Sequence, residues 1–187
     1  PVARASILFV MIVDFDQHAR RLGPEGLLAF LNREFTRMDR ICARHDATKI
    51  ETVGEEYVCA VGVLPADRAA ESVEGHSAIL GRLVRVADAI LHAQAPGVQF
   101  KMGMHTGPVV AGVIGQKLPR FRLFGDTVNT AARMMQKGVP GQLQFGEETR
   151  AQLPGWVRVA PRGEIELKGK GRVAAFLLGS RPEAPQP

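Results

Sequence analysis

KMGMHTGPVVAGVIGQKLPRFRLFGDTVNTAARM, Lys101 to Met134, decides the reading of this chain. Its first half, with the residues just before it, carries two apolar, β-branched runs at 98–105 and 108–114. Thr106 and Gly107 separate them, which predicts two strands joined by a turn. In the second half, Asp126 and Thr127 precede apolar residues at helical spacing and predict a capped helix reaching about Lys137. Gly138, Pro140 and Gly141 then stop it. Asn129 and Arg133 stand four apart in that helix, so they project from one face and can reach one ligand together. On spacing alone, such a pair also describes an ordinary solvated face.

Working outward, the apolar run 7–13 has the length of a buried strand. Pro24 and Glu25 open a helix in which Leu27, Leu31, Phe35, Met38 and Cys42 recur every three to four residues. Two strand-like runs, 48–53 and 57–63, flank Gly54 and Glu55 in the pattern of a tight hairpin. Residues 65–75 are small and polar and read as a loop. Leu80, Val84, Ala87 and Leu91 mark a second amphipathic helix, ended by Pro96 and Gly97. Beyond residue 141, short strands alternate with a brief helix near 147–153. Strands and helices mixed in this order predict an α+β sandwich, a largely antiparallel sheet with helices packed on it.

The 187 residues, 45% hydrophobic and 23% charged, fit a single domain with a core over about 6–179 and a Pro-rich tail at 180–187. Cys42 and Cys59 each lie in an apolar stretch, which predicts buried thiols in a reducing compartment. No apolar run approaches the roughly 20 residues that span a bilayer. The expectation is therefore a cytoplasmic domain, cut from a longer protein, that does not itself touch the membrane. A net charge of +5, from 24 Lys+Arg against 19 Asp+Glu, suits a polyanion or a nucleoside triphosphate. Nucleic acid is disfavoured, because the basic residues are dispersed and few aromatics offer stacking platforms.

The stretch 101–134 closely resembles the signature region of class III nucleotidyl cyclase catalytic domains, and is guanylate-cyclase-like. KIETVGEEY at 49–57 resembles that family's base-recognising strand and hairpin, and RGEIELKGKGRV at 162–173 its triphosphate-binding lysine loop. The resemblance runs from Ile7 to Leu178. It implies a ferredoxin-like βαββαβ core, an α+β fold, and a head-to-tail dimer with active sites between two domains. It also implies that Asn129 orients the ribose and that Arg133 stabilises charge developing on the transferred phosphate, a task for a fixed donor fork. Lys168 matches the triphosphate lysine, with Lys170 a weaker candidate. Glu51 falls where guanylate cyclases accept hydrogen bonds from the guanine ring nitrogen and amino group. Arg122 replaces the family's usual cysteine near the guanine carbonyl, and its donor-only fork matches that oxygen while repelling the adenine amino group.

At the metal site the chain departs from the pattern. The family holds two divalent ions, Mg2+ or Mn2+, on a pair of aspartates, and the matching positions here are Met11 and Glu55. A thioether is a poor ligand for a hard cation, so Glu55 is the one weakened ligand retained. Asp14, three residues past Met11, would face the other way on an ideal strand. Asp14 and Asp16 also place negative charge where a triphosphate loop is expected. The combination implies a domain that takes GTP and lends base recognition and transition-state contacts to a dimer, a heterodimer for full activity, whose partner holds the metals. The alternatives are a non-catalytic regulatory pseudocyclase and a weakly active homodimer.

Overall fold

The computed structural model describes residues 1–50, 54–118 and 120–179. At its centre is β1 (Val2–Ile12), an almost wholly buried strand. Side chains alternate across a strand, so Leu8, Val10 and Ile12 enter one apolar cluster while Ile7 and Phe9 enter another. Burial on both faces is why this segment reads as one continuous apolar run.

On one side β1 pairs antiparallel with β3 (Tyr57–Val61), and on the other with β4 (Phe100–Ile114), Leu8 standing opposite both Cys59 and Met104. Outside β3 lies β2 (Thr48–Ile50). β4 is followed in the sheet by β6 (Leu143–Phe145) in parallel, then by β8 (Gly171–Leu178) and β7 (Val159–Leu167). β5 (Arg120–Phe124) folds back on the distal half of β4 as a separate hairpin. Two helices, α1 (Phe15–Arg44) and α3 (His76–His92), make the crossovers of the β2-β3-β1-β4 order, which is the ferredoxin-like arrangement.

The first apolar cluster unites that sheet with Met38 and Ile41 of α1 and Leu83 and Ile90 of α3. Each such side chain contributes roughly 1.5–3 kcal/mol on full burial. The opposite face is covered by α4 (Asp126–Gln136) through Ala131 and Met135. Cys42 and Cys59 are free and buried, as expected.

Four local expectations are corrected. Residues 98–105 and 108–114 are not two strands around a turn, because β4 stays paired with β1 through Thr106 and Gly107. Gly107 is there for close approach: a Cβ on it would lie 2.6 Å from Thr127 Oγ1 of α4. The first helix starts at Phe15, with Gly23 (φ 69°, ψ 175°) breaking it just before Pro24, so Pro24 opens its second segment. The small, polar stretch after Leu64 is α2 (Pro65–Glu74), with Pro65 in the first turn, where its missing N–H costs nothing. Gly125, not Asp126 or Thr127, is the N-cap of α4, and no side chain caps it. A brief helix does follow β6, as α5 (Glu147–Arg150).

Candidate active site

α4 buries Thr127, Thr130, Ala131, Met134 and Met135 against the sheet. The same periodicity leaves Asn129 exposed and Arg133 half-buried on the outward side, four residues apart as the sequence predicts. Arg133 does not wave free: its Nη1 donates to the backbone carbonyl of Lys168 at 2.8 Å. Lys168 lies in the turn between β7 and β8 and is itself exposed. Helix and turn thus meet through a side-chain to backbone bond.

The second lysine of that turn behaves differently. Lys170 Nζ sits 2.8 Å from Asp126 Oδ2, and this contact holds the Asp126 carboxyl below the usual carboxylate range. Asp126 was legible only as a helix-start residue; its pairing with a turn far along the chain left no local signal.

Arg122 stands on β5 opposite Gly112 of β4, half-buried. A glycine partner places no side chain directly across the ladder from it. Glu51 lies outside the described residues, immediately after the end of β2.

Met11 and Glu55 are brought together, in a cleft of about 530 Å3 that Asp14, Asp16 and Arg20 also border. The ideal-strand expectation for Asp14 fails here. β1 has already ended at Ile12, and Asp14 takes a left-handed backbone (φ 55°, ψ 41°) that an Asp tolerates. Its carbonyl accepts from the N–H groups of Gln17 and His18, which starts α1 and leaves its side chain beside the same cleft as Met11. Burial, and then the Glu55 charge, push the neighbouring Glu56 carboxyl up, so this hairpin end is locally negative. Arg20 brings a compensating cation that the sequence reading did not single out.

These residues do not fit a divalent ion. Among the described residues no three His, Cys, Asp or Glu side chains are grouped so as to hold a metal. The position closest to the family's first ligand offers only the Met11 thioether, which a hard cation disfavours. The cleft of Met11 and Glu55 is lined by none of Arg122, Asn129, Arg133 and Lys168. The domain therefore keeps apart the basic residues of α4 and the lysine turn and the cleft of Met11 and Glu55.

The family model described as "Adenylate and Guanylate cyclase catalytic domain" matches residues 1–180. Guanylate cyclase soluble subunit beta-2 of Rattus norvegicus is 35% identical over 175 residues, covering 92% of this chain and 25% of the relative. Receptor-type guanylate cyclase gcy-10 of Caenorhabditis elegans is 37% identical over 177 residues, covering 93% of this chain and 17% of the relative. The chain thus spans a quarter or less of the length of these two relatives. Among solved structures, the guanylate cyclase domain of RhGC from Catenaria anguillulae in complex with GTP superposes with a TM-score of 0.82 at 26% identity, over 97% of this chain and 98% of that one. The adenylyl cyclase CyaB from P. aeruginosa shares the fold, with a TM-score of 0.80 at 19% identity, over 98% of this chain and 97% of that one. Sheet order, the outward pair on α4, the lysine turn and these matches agree: the chain belongs to the adenylate and guanylate cyclase catalytic domain family.

Proposed function

We propose that this domain converts GTP to cyclic GMP and pyrophosphate as one half of a dimer, in cytoplasmic cyclic-nucleotide signalling. It supplies the base pocket and the transition-state contacts, and the partner supplies the metal ligands. The observation that carries this reading is the split between its two half-sites. Arg133, one helical turn from Asn129 on α4, bonds the backbone carbonyl of Lys168 in the lysine turn, while the positions matching the family's metal aspartates are Met11 and Glu55.

In the reaction the ribose 3′ hydroxyl loses its proton, ultimately to solvent, as its oxygen bonds to the α-phosphorus, and the bond from that phosphorus to the bridging oxygen of pyrophosphate breaks. Asn129 orients the ribose. Arg133, always protonated, meets charge growing on the transferred phosphate, and Lys168 meets the triphosphate. Glu51 accepts from the guanine ring nitrogen and amino group, while Arg122 donates to the guanine carbonyl. Cyclase domains of this family depend on divalent metal. In this reading carboxylates of another cyclase domain would hold the Mg2+ or Mn2+, which would supply charge neutralisation at the pyrophosphate leaving group.

The surface supports an association of this kind. Val113, Ile114 and Leu118 of the β4–β5 hairpin, with Val110 and Phe124, are exposed apolar side chains on a projecting ribbon. Apolar groups gathered in this way mark an interaction face.

The test is turnover by the pure chain with GTP and Mg2+ or Mn2+, beside the Met11→Asp, Glu55→Asp variant. The parent should be nearly silent, and the variant should gain metal-dependent turnover. Robust magnesium-dependent cyclic GMP production by the parent would show that this domain holds its own metal, contrary to the reading.

A further inference from the structure

The turn that joins β7 to β8 carries two lysines, of which the family resemblance makes Lys168 the triphosphate candidate and Lys170 a weaker one without giving a physical reason for the difference. The last pair of the ladder is Leu167 opposite Gly171. Only Lys168, Gly169 and Lys170 lie between them, and the Lys170 N–H donates back to the Leu167 carbonyl at 3.0 Å. Gly169 and Gly171 take positive φ values of 80° and 71°, conformations in which a side chain would be strained. A tight turn of this kind is rigid once its ends are fixed. The structure fixes it to α4 at two places.

The first is the bond from Arg133 Nη1 to the Lys168 carbonyl. A Cβ on Gly169 would come within 3.7 Å of that same nitrogen, so the guanidinium lies close against the turn. The second is the ion pair of Lys170 Nζ with Asp126 Oδ2, in the first turn of α4. Thr130 helps hold Asp126, its Oγ1 donating to the Asp126 carbonyl at 2.9 Å. Lys170 and Asp126 also border a cleft of about 730 Å3 on which neither Asn129, Arg133 nor Lys168 lies. Lys170 thus borders a cleft that Lys168 does not, and its charge is matched by a carboxylate. Among the described residues no carboxylate matches Lys168.

We propose that Asp126 and Lys170 are positioning residues. Their ion pair, acting with the Arg133 bond, clamps the lysine turn to α4 and presents Lys168 alone to the triphosphate. The choice between the two lysines is thus made by the helix that also carries Asn129 and Arg133. The role in turnover rests on the function proposed above, whereas the clamp itself does not.

Two measurements test it. In the first, the 187-residue chain receives a trace of acetic anhydride, and peptides are quantified by mass spectrometry. Lys168 should react several times faster than Lys170, and Asp126→Asn should bring Lys170 up toward the Lys168 rate. Equal reactivity in the parent, or a Lys170 rate unmoved by D126N, would overturn the clamp whether or not the chain is a cyclase.

The second is cyclic GMP formation by the chain paired with a cyclase domain bearing both metal aspartates. D126N and K170M should each lower kcat/KM for GTP about fivefold, the scale of an exposed ion pair. The D126N/K170M double variant should be no worse than either single change, the mark of one shared interaction. K170R, which can still pair, should lose less. If K170M is costly while D126N is silent, Lys170 itself touches phosphate and the proposal fails. If no pairing makes cyclic GMP with the parent chain, the functional reading fails, and the acetylation result still decides the clamp.

Discussion

At the scale of single residues, the account depends on donors and acceptors being matched to guanine. An ionised carboxylate at Glu51 can only accept, and a guanidinium at Arg122 can only donate. Each mismatched buried polar group costs about 1–3 kcal/mol, so two give on the order of a hundredfold preference for GTP over ATP. Glu51→Lys with Arg122→Asp should move that preference toward ATP, measured as turnover on both nucleotides in a complemented dimer. An unchanged ratio would mean that neither residue reads the base. Arg133→Ala should reduce kcat by roughly 10²–10³, as loss of a transition-state donor does, with a smaller change in KM.

Helical spacing placed Asn129 and Arg133 on one face of α4, as the structure has them, but their roles, like that of Arg122, rest on the family resemblance, since spacing alone also describes a solvated face. The Asp126–Lys170 pair was not legible, since contacts between distant segments leave no periodicity. The same is true of Asp14. β1 ends at Ile12 and Asp14 takes a left-handed backbone, so the alternation of an ideal strand does not apply to it.

At the scale of elements, the decisive fit is α4 against β4, because it sets where Asn129 and Arg133 stand. Gly103 and Gly107 make that approach possible. A Cβ on Gly103 would stand 2.0 Å from the Met135 backbone nitrogen and 2.4 Å from its Cα, and backbone cannot step aside. On Gly107 the nearest atom is the Thr127 hydroxyl at 2.6 Å, a side chain able to rotate. Gly103→Ala should therefore cost about 3 kcal/mol and Gly107→Ala about 1 kcal/mol, read as shifts in urea midpoint. The reverse order would contradict this packing.

The sequence reading placed a turn at Thr106–Gly107 because glycine next to threonine is ordinary turn composition. It could not tell a glycine needed for bending from one needed to admit a helix. Residues 65–75 misled for a related reason. Small polar residues suit loops, yet Pro65 followed by Ala66 and Asp67 also suits a first helical turn, and the amphipathic fit of α2 beside α3 decided the matter. Where burial fills both faces of an element, as in β1, length and apolar continuity were enough.

At the scale of the whole molecule, the proposed function makes the domain half of a site. Basic side chains lie at α4 and the lysine turn, the cleft of Met11 and Glu55 holds a thioether and mixed charges, and the β4–β5 hairpin exposes apolar side chains. The α+β architecture follows from alternating strands and amphipathic helices, while its ferredoxin-like order was implied by the resemblance and several element boundaries were not legible. The asymmetry came from two positions, Met11 and Glu55, whose meaning depends on chemistry more than on pattern.

Crossed complementation tests that asymmetry most directly. The 187-residue chain is mixed with a cyclase domain that bears both metal aspartates but has the residues matching Asn129 and Arg133 replaced by alanine, and cyclic GMP is measured with Mg2+. Each protein alone should be nearly silent and the mixture active, with activity lost when this chain carries Asn129→Ala and Arg133→Ala. A silent mixture, or equal activity from this chain alone, would contradict the account.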